Sequence, residues 1–175
     1  MISMSTLNLN VLTAAFALIG EKYDTPDARR FLLAWAWQET KLAAMRQYGG
    51  GPAASFWQFE RPTIRLVLGN PQVAALAAAA CKSCGVKADS LAIWTHFQTL
   101  DGQTLAAAFA RLLLLCDAHP VPTTMGGERK NAKGETERFG AWKTYASDVV
   151  RPGKPHVAQW PESWRRASDA VGLTP

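Results

Sequence analysis

At 175 residues the chain is long enough to bury a real core and of a length typical of one domain, 1–175. Hydrophobic residues make up 48 % and charged residues 19 %, which excludes a disordered chain. The net charge of +5 and pI near 9.3 favour anionic partners, with cell wall, nucleic acid and lipid headgroups all admissible; the cations are scattered, with no run of five like charges, which argues against nucleic acid.

The N-terminal apolar run has no Lys or Arg before it, which argues against a secretory signal and for synthesis in a cytoplasm. The longest apolar stretch, Leu105 to Cys116, contains Arg111 and stops at Asp117, too short for a membrane span.

Taken in chain order, Leu9, Leu12, Phe16 and Ile19 predict a first helix over 7–20. Thr25-Pro26-Asp27 reads as a helix start: a Thr cap, Pro in the first turn, then an acid. In the helix that follows, Ala28, Leu32, Trp35, Glu39 and Leu42 fall on one face, and Gly49-Gly50-Gly51-Pro52 stops it. Ala54 to Phe59 reads as extended, with a small β-hairpin expected near 47–60. Arg61-Pro62-Thr63 starts a short helix ended by Gly69-Asn70, and Pro71 opens another to about Ala80. Asp89 and Asp101 are candidate caps for helices over 90–98 and 104–116, the latter the expected central helix. Residues 120–133 read as a loop and 134–150 as a helix with Phe139, Trp142, Tyr145 and Val149 on one side. A rigid turn at Arg151 to Pro155 precedes a closing helix over 160–171. The expected fold class is mostly α (α+β).

Glu39 stands out. A carboxyl on an apolar helix face pays desolvation, which favours the protonated form and suits a proton donor to a glycosidic oxygen. Trp35 and Trp37 would supply an apolar wall; Trp57 and Tyr48 would stack on sugar rings, and Gln58 would bond to hydroxyl or acetamide groups. Spacing alone leaves another reading open, in which Glu39 pairs with Lys41 or Arg46 or reaches solvent at the helix end.

The order Glu39-Thr40, then Gly51-Pro52-Ala53-Ala54-Ser55-Phe56-Trp57-Gln58, then Arg61-Pro62-Thr63 resembles the lysozyme superfamily, specifically the soluble lytic transglycosylases. It also resembles phage proteins with a Gly-x-Trp-Gln-Phe-Glu segment and an Arg-Pro-Gly-Lys-Pro-His segment, here Arg151 to His156. The resemblance implies a lysozyme-like single domain that cleaves peptidoglycan as a lytic transglycosylase or muramidase. Glu39 would be the catalytic acid/base, with Trp57 and Gln58 lining the glycan cleft, Tyr48, Ser55 and Trp142 as further substrate-binding candidates, and Ser55 standing where the family prefers Gly. Thr40 replaces the family's Ser. The downstream Tyr-Asn-x-Gly motif is missing; Tyr145, with Trp142, is the nearest substitute for its tyrosine. Glu60 is a second candidate carboxylate, either assisting or capping the helix that starts at Pro62. No cofactor is implied. The partners implied are peptidoglycan glycan strands and other virion proteins, for a protein in a phage virion or the host cytoplasm that acts in the cell wall. A non-catalytic phage structural protein keeping the same fold is the alternative.

Cys81, Cys84, Cys116 and His119 form C-x2-C and C-x2-H spacings that zinc would use, set against buried free thiols. His96 lacks a partner acid at useful spacing, and Trp160 and Trp164, one turn apart, are expected to pin the last helix.

Overall fold

The computed structural model describes residues 2–117, 119–147, 150 and 156–175, and at Tyr48 the backbone alone. The Tyr48 side chain, Val149 and the Arg151–Pro155 turn therefore lie outside the described residues.

The protein is mostly helical with one small two-stranded antiparallel sheet. Helix α1 runs Met4–Ile19 with a π-helical stretch over Leu7–Leu12, and Gly20 ends it at φ 111°. Helix α2, Pro26–Thr40, is capped by Thr25, whose Oγ1 accepts from the Ala28 N–H, with Pro26 at the first position. It is buried on nearly every side, from Phe31 through Ala36, so the stripe carrying Glu39 is one part of a wider apolar surface.

The helix also ends sooner than its pattern suggests. Lys41 (φ 51°) and Leu42 (φ 57°) turn left-handed, well before the glycines at 49–51. The Thr40 hydroxyl accepts from the Leu42 N–H, offering the backbone an alternative to another helical turn.

Helices α3 (Arg61–Gly69), α4 (Ala74–Ser83), α5 (Ser90–His96) and α6 (Gln103–Leu115) follow. Asp89 caps α5, its Oδ1 accepting from Leu91 and Ala92 N–H; Asp101 does not cap α6, whose cap position is Gly102. A side chain there would collide with the His96 carbonyl, 1.9 Å from the position of a Cβ. Helix α6 is buried along its length, as expected of a central helix.

The sheet lies elsewhere than expected. Residues 45–60 hold isolated bridges, Arg46 to Ala54 and Ala54 to Phe59, and no paired strands. The hairpin is β1 (Gly127–Lys130) and β2 (Thr136–Phe139), in a stretch read as loop and helix. Its register sets Glu128 opposite Arg138 and Arg129 opposite Glu137, opposite charges face to face. Asn131 Oδ1 accepts from Lys133 and Glu135 N–H to close the turn. At its base Gly126 and Gly140 back onto each other, and a Cβ on Gly140 would lie 2.6 Å from the Gly126 Cα. Helix α7 is consequently short, Gly140–Tyr145. Helix α8, Trp160–Val171, closes the fold against α2, the most extensive helix pairing in the molecule.

No single helix is long and apolar enough to cross a membrane among the described residues.

Candidate active site

Glu39 lies in the last turn of α2, half-buried, where the helix leaves the core. The Tyr145 hydroxyl, at the end of α7, donates to Glu39 Oε1 at 2.7 Å. Tyr145, named from the resemblance as the substitute for the family's tyrosine, thus meets the Glu39 carboxylate from 106 positions away in the chain.

Tyr145 is held firmly. Its ring stacks on Trp160 of α8 at 5.0 Å with 16° between planes, and Trp142 tilts against both. Trp160 Nε1 donates to the Met125 carbonyl and Trp142 Nε1 to Glu128 Oε1 on β1. Glu128 Oε1 also accepts from Arg138 Nε, and Arg138 donates to the Ala146 carbonyl just past α7. The hairpin therefore braces the short helix that carries Tyr145. Next to Glu39, the Gln38 amide bridges α2 to α8: its Oε1 accepts from Ser163 Oγ at 2.7 Å and its Nε2 donates to the His156 carbonyl. These contacts fix the carboxylate's neighbourhood.

The Glu39–Lys41 reading survives in part. Burial pushes the Lys41 amine below its ordinary value, while the nearby Glu162 and Glu39 carboxylates work against that shift. Trp35 is in the core on Phe59, and Trp37 lies under the Arg166 guanidinium.

The segment after the bend is ordered differently from the expectation of a sugar-stacking surface. Trp57 is 1 % exposed, and its indole N–H donates to the Leu32 carbonyl at 2.9 Å. Trp142 is 0 % exposed. Neither ring has a face for a ligand, so both are corrected from binding platforms to core. Ser55 is fully buried as well, so it too is corrected from a ligand contact. It takes φ 71°, which is why glycine suits this position: the left-handed region costs a side chain about 1 kcal/mol. The serine is held there by its N–H to the Met45 carbonyl and by its Oγ, which accepts from the Trp57 N–H. Gln58 is half-buried and donates to the Ser55 carbonyl at 2.8 Å. Gln103, buried on α6 and not singled out in the sequence, fixes the loop through its Oε1, which accepts from the Phe56 N–H. A glutamine inside an apolar helix is the signal that marks it.

Glu60 takes the cap position of α3, but its side chain makes no capping hydrogen bond. Cys81, Cys84, Cys116 and His119 are not gathered: among the described residues no three His, Cys, Asp or Glu side chains are placed to hold a metal. Burial pushes the Cys81 and Cys116 thiols up to about 11, away from the thiolate that zinc requires, and His119 instead meets the Asp117 carboxylate at 2.5 Å.

Compared with protein families, curated proteins and solved structures, the chain gives no significant match.

Proposed function

We propose that the protein cleaves peptidoglycan glycan strands, as a lytic transglycosylase or muramidase on a lysozyme-like domain, with Glu39 as general acid and then base. The observation that carries this reading is the Tyr145 hydroxyl on Glu39 Oε1. A donor fixed on the carboxyl group orients it to carry the proton toward the bridging oxygen. After the bond breaks, the carboxylate takes a proton from the incoming hydroxyl, either water or the sugar's own 6-hydroxyl. Tyr145 is buried and acts through Glu39, which makes it a positioning residue. The resemblance carried by Trp57 to Glu60 and by Arg151 to His156 adds phage origin: a virion-borne enzyme that opens the wall locally at genome entry.

Muropeptide release from purified sacculi tests the enzyme claim. Glu39→Gln is expected to lose about 10²–10⁴-fold, the usual worth of a general acid. If wild type and Glu39→Gln release the same background, the claim fails. Tyr145→Phe is expected to lose about 2–10-fold, the worth of one hydrogen bond. Mass spectrometry of purified virions checks the location.

The burial of Trp57, Trp142 and Ser55 favours a second reading, a non-catalytic phage protein, internal or tail-associated, on the same fold. Pelleting with sacculi without fragment release is its signature.

A further inference from the structure

A cleft of about 300 Å³ opens between the glycine-rich bend and α5, and neither Glu39 nor Tyr145 lines it. Its walls are Arg46, Gln47, Gly50, Gly51, Trp94 and Gln98. We propose that this cleft binds an N-acetylated sugar bearing a carboxylate, at a site separate from the Glu39–Tyr145 pair; the choice of sugar rests on the peptidoglycan reading above.

The chemistry of the lining makes the argument. Trp94 is the counterpart of the buried tryptophans: half-exposed, with its indole N–H already donated to the Pro52 carbonyl at 2.7 Å. Its remaining offer to the cleft is the flat apolar ring, which suits the C–H face of a pyranose. Around it stand two loosely held carboxamides. Gln47 Oε1 accepts from the Ala53 N–H and Gln98 Nε2 donates to the Trp94 carbonyl, each at 3.4 Å. The Gln47 amide nitrogen and the Gln98 amide oxygen have no partner among the described residues. A donor and an acceptor beside an aromatic face match sugar hydroxyls and an acetamide. Arg46, exposed on the same rim, has no hydrogen-bond or ion-pair partner for its guanidinium among the described residues, and a carboxylate is the group its fork fits best.

The backbone is arranged to leave this space. Gly49 and Gly50 take φ 74° and 75°, turning the chain out and around. Gly51 lies under the Gln47 side chain, where a Cβ would come 2.1 Å from Gln47 Oε1. A side chain at 51 would push Gln47 out of the cleft.

The test uses the ¹⁵N-labelled full chain carrying Glu39→Gln, so that the probe is not consumed. The probe is the disaccharide of N-acetylglucosamine and N-acetylmuramic acid, and the reporter is the Trp94 indole N–H resonance, assigned by its loss in Trp94→Phe. The expected result is a saturable shift of that resonance, with about tenfold weaker binding of neutral diacetylchitobiose, the worth of one charge-assisted contact. Arg46→Gln, an exposed change, is expected to abolish that preference while Gly51→Ala weakens both sugars. An unmoved Trp94 resonance overturns the proposal. So does a preference that survives Arg46→Gln, or a stem peptide without sugar that binds as tightly as the disaccharide. A Trp94 shift in a protein that releases no muropeptides leaves the cleft standing and removes the glycosidase; release without a shift does the reverse.

Discussion

Two aromatic clusters hold this protein, and they are built on different terms. The first runs Trp35, Phe59, Phe97 and Phe109 in a chain of contacts at 5.6–5.7 Å, joining α2, the 54–59 loop and α6. Three of its four rings are phenylalanines, so it is held almost wholly by packing. The second centres on Tyr145, Trp142 and Trp160, with Phe31 and Trp164 packed on Trp160, and the polar atoms of the central three are engaged: by Glu39, by Glu128 and by the Met125 carbonyl. Packing fixes where a ring is; a hydrogen bond also fixes what it is aimed at. The first cluster therefore accounts for stability and the second for the orientation of one carboxylate.

The largest expected effects come from emptying either cluster. Phe97→Ala and Trp160→Ala are each expected to cost about 3–5 kcal/mol in urea unfolding, the range for deleting a buried aromatic ring. They should part in a second measurement: Phe97→Leu keeps the Tyr145 hydroxyl signal of the native protein, and Trp160→Leu loses it. If both variants keep it, the stack does not orient Tyr145 and the comparison breaks.

Next is the brace from the hairpin. Glu128→Ala leaves the Trp142 indole and Arg138 without their shared acceptor, and about 1–3 kcal/mol is expected. Arg138 and Glu128 are partly exposed, so solvent screening places the result toward the lower end. The measurable consequence is faster amide exchange in α7 with α2 unchanged; equal exchange in both helices would show that the hairpin braces nothing.

How far the sequence spoke follows the same division. Glu39 could be read because α2 is long and strongly apolar, and Tyr145 because the resemblance calls for a downstream tyrosine and Trp142 stands one helical turn before it; Phe139, read on the same helix face, lies on β2. The hairpin could not be read from periodicity. Its strands are exposed on both faces, and the Glu128–Arg138 and Arg129–Glu137 pairs carry meaning only once Asn131 and Gly134 set the register. Trp57 was misread for another reason. A tryptophan beside a glutamine looks alike whether its ring meets a sugar or a core, and the Leu32 carbonyl that decides the matter is 25 residues away. Trp94 gave no signal of its own, because its exposure depends on Pro52 coming back over α5.

A smaller effect tests the loop between the clusters. Ser55→Gly relieves a left-handed serine but gives up the Oγ contact to the Trp57 N–H. The expected net is a stabilisation of up to about 1 kcal/mol, read as a raised urea midpoint at constant slope. A clear loss would mean that the hydroxyl, and not the backbone angle, is what position 55 requires.

The mildest test is acid. Glu137 on β2 is held below its ordinary carboxylate value of 4.5, chiefly by the hydrogen bond from Arg129 and then by that guanidinium's charge. A depressed folded value means that the pair's contribution is complete above the unfolded value and fades as pH falls through the folded one. The hairpin is thus expected to loosen below about pH 4.5, the ordinary value for this group. Nothing comparable holds the first cluster, whose rings carry no charge. Amide exchange between pH 5 and 3, corrected for intrinsic rates, should show β1 and β2 losing protection while α2 and α6 keep theirs. Arg129→Gln should make the hairpin weaker at pH 6 and less sensitive to acid. Loss of protection in all four elements at the same pH would mean that the two clusters unfold as one unit, and that the packing side depends on the oriented side after all.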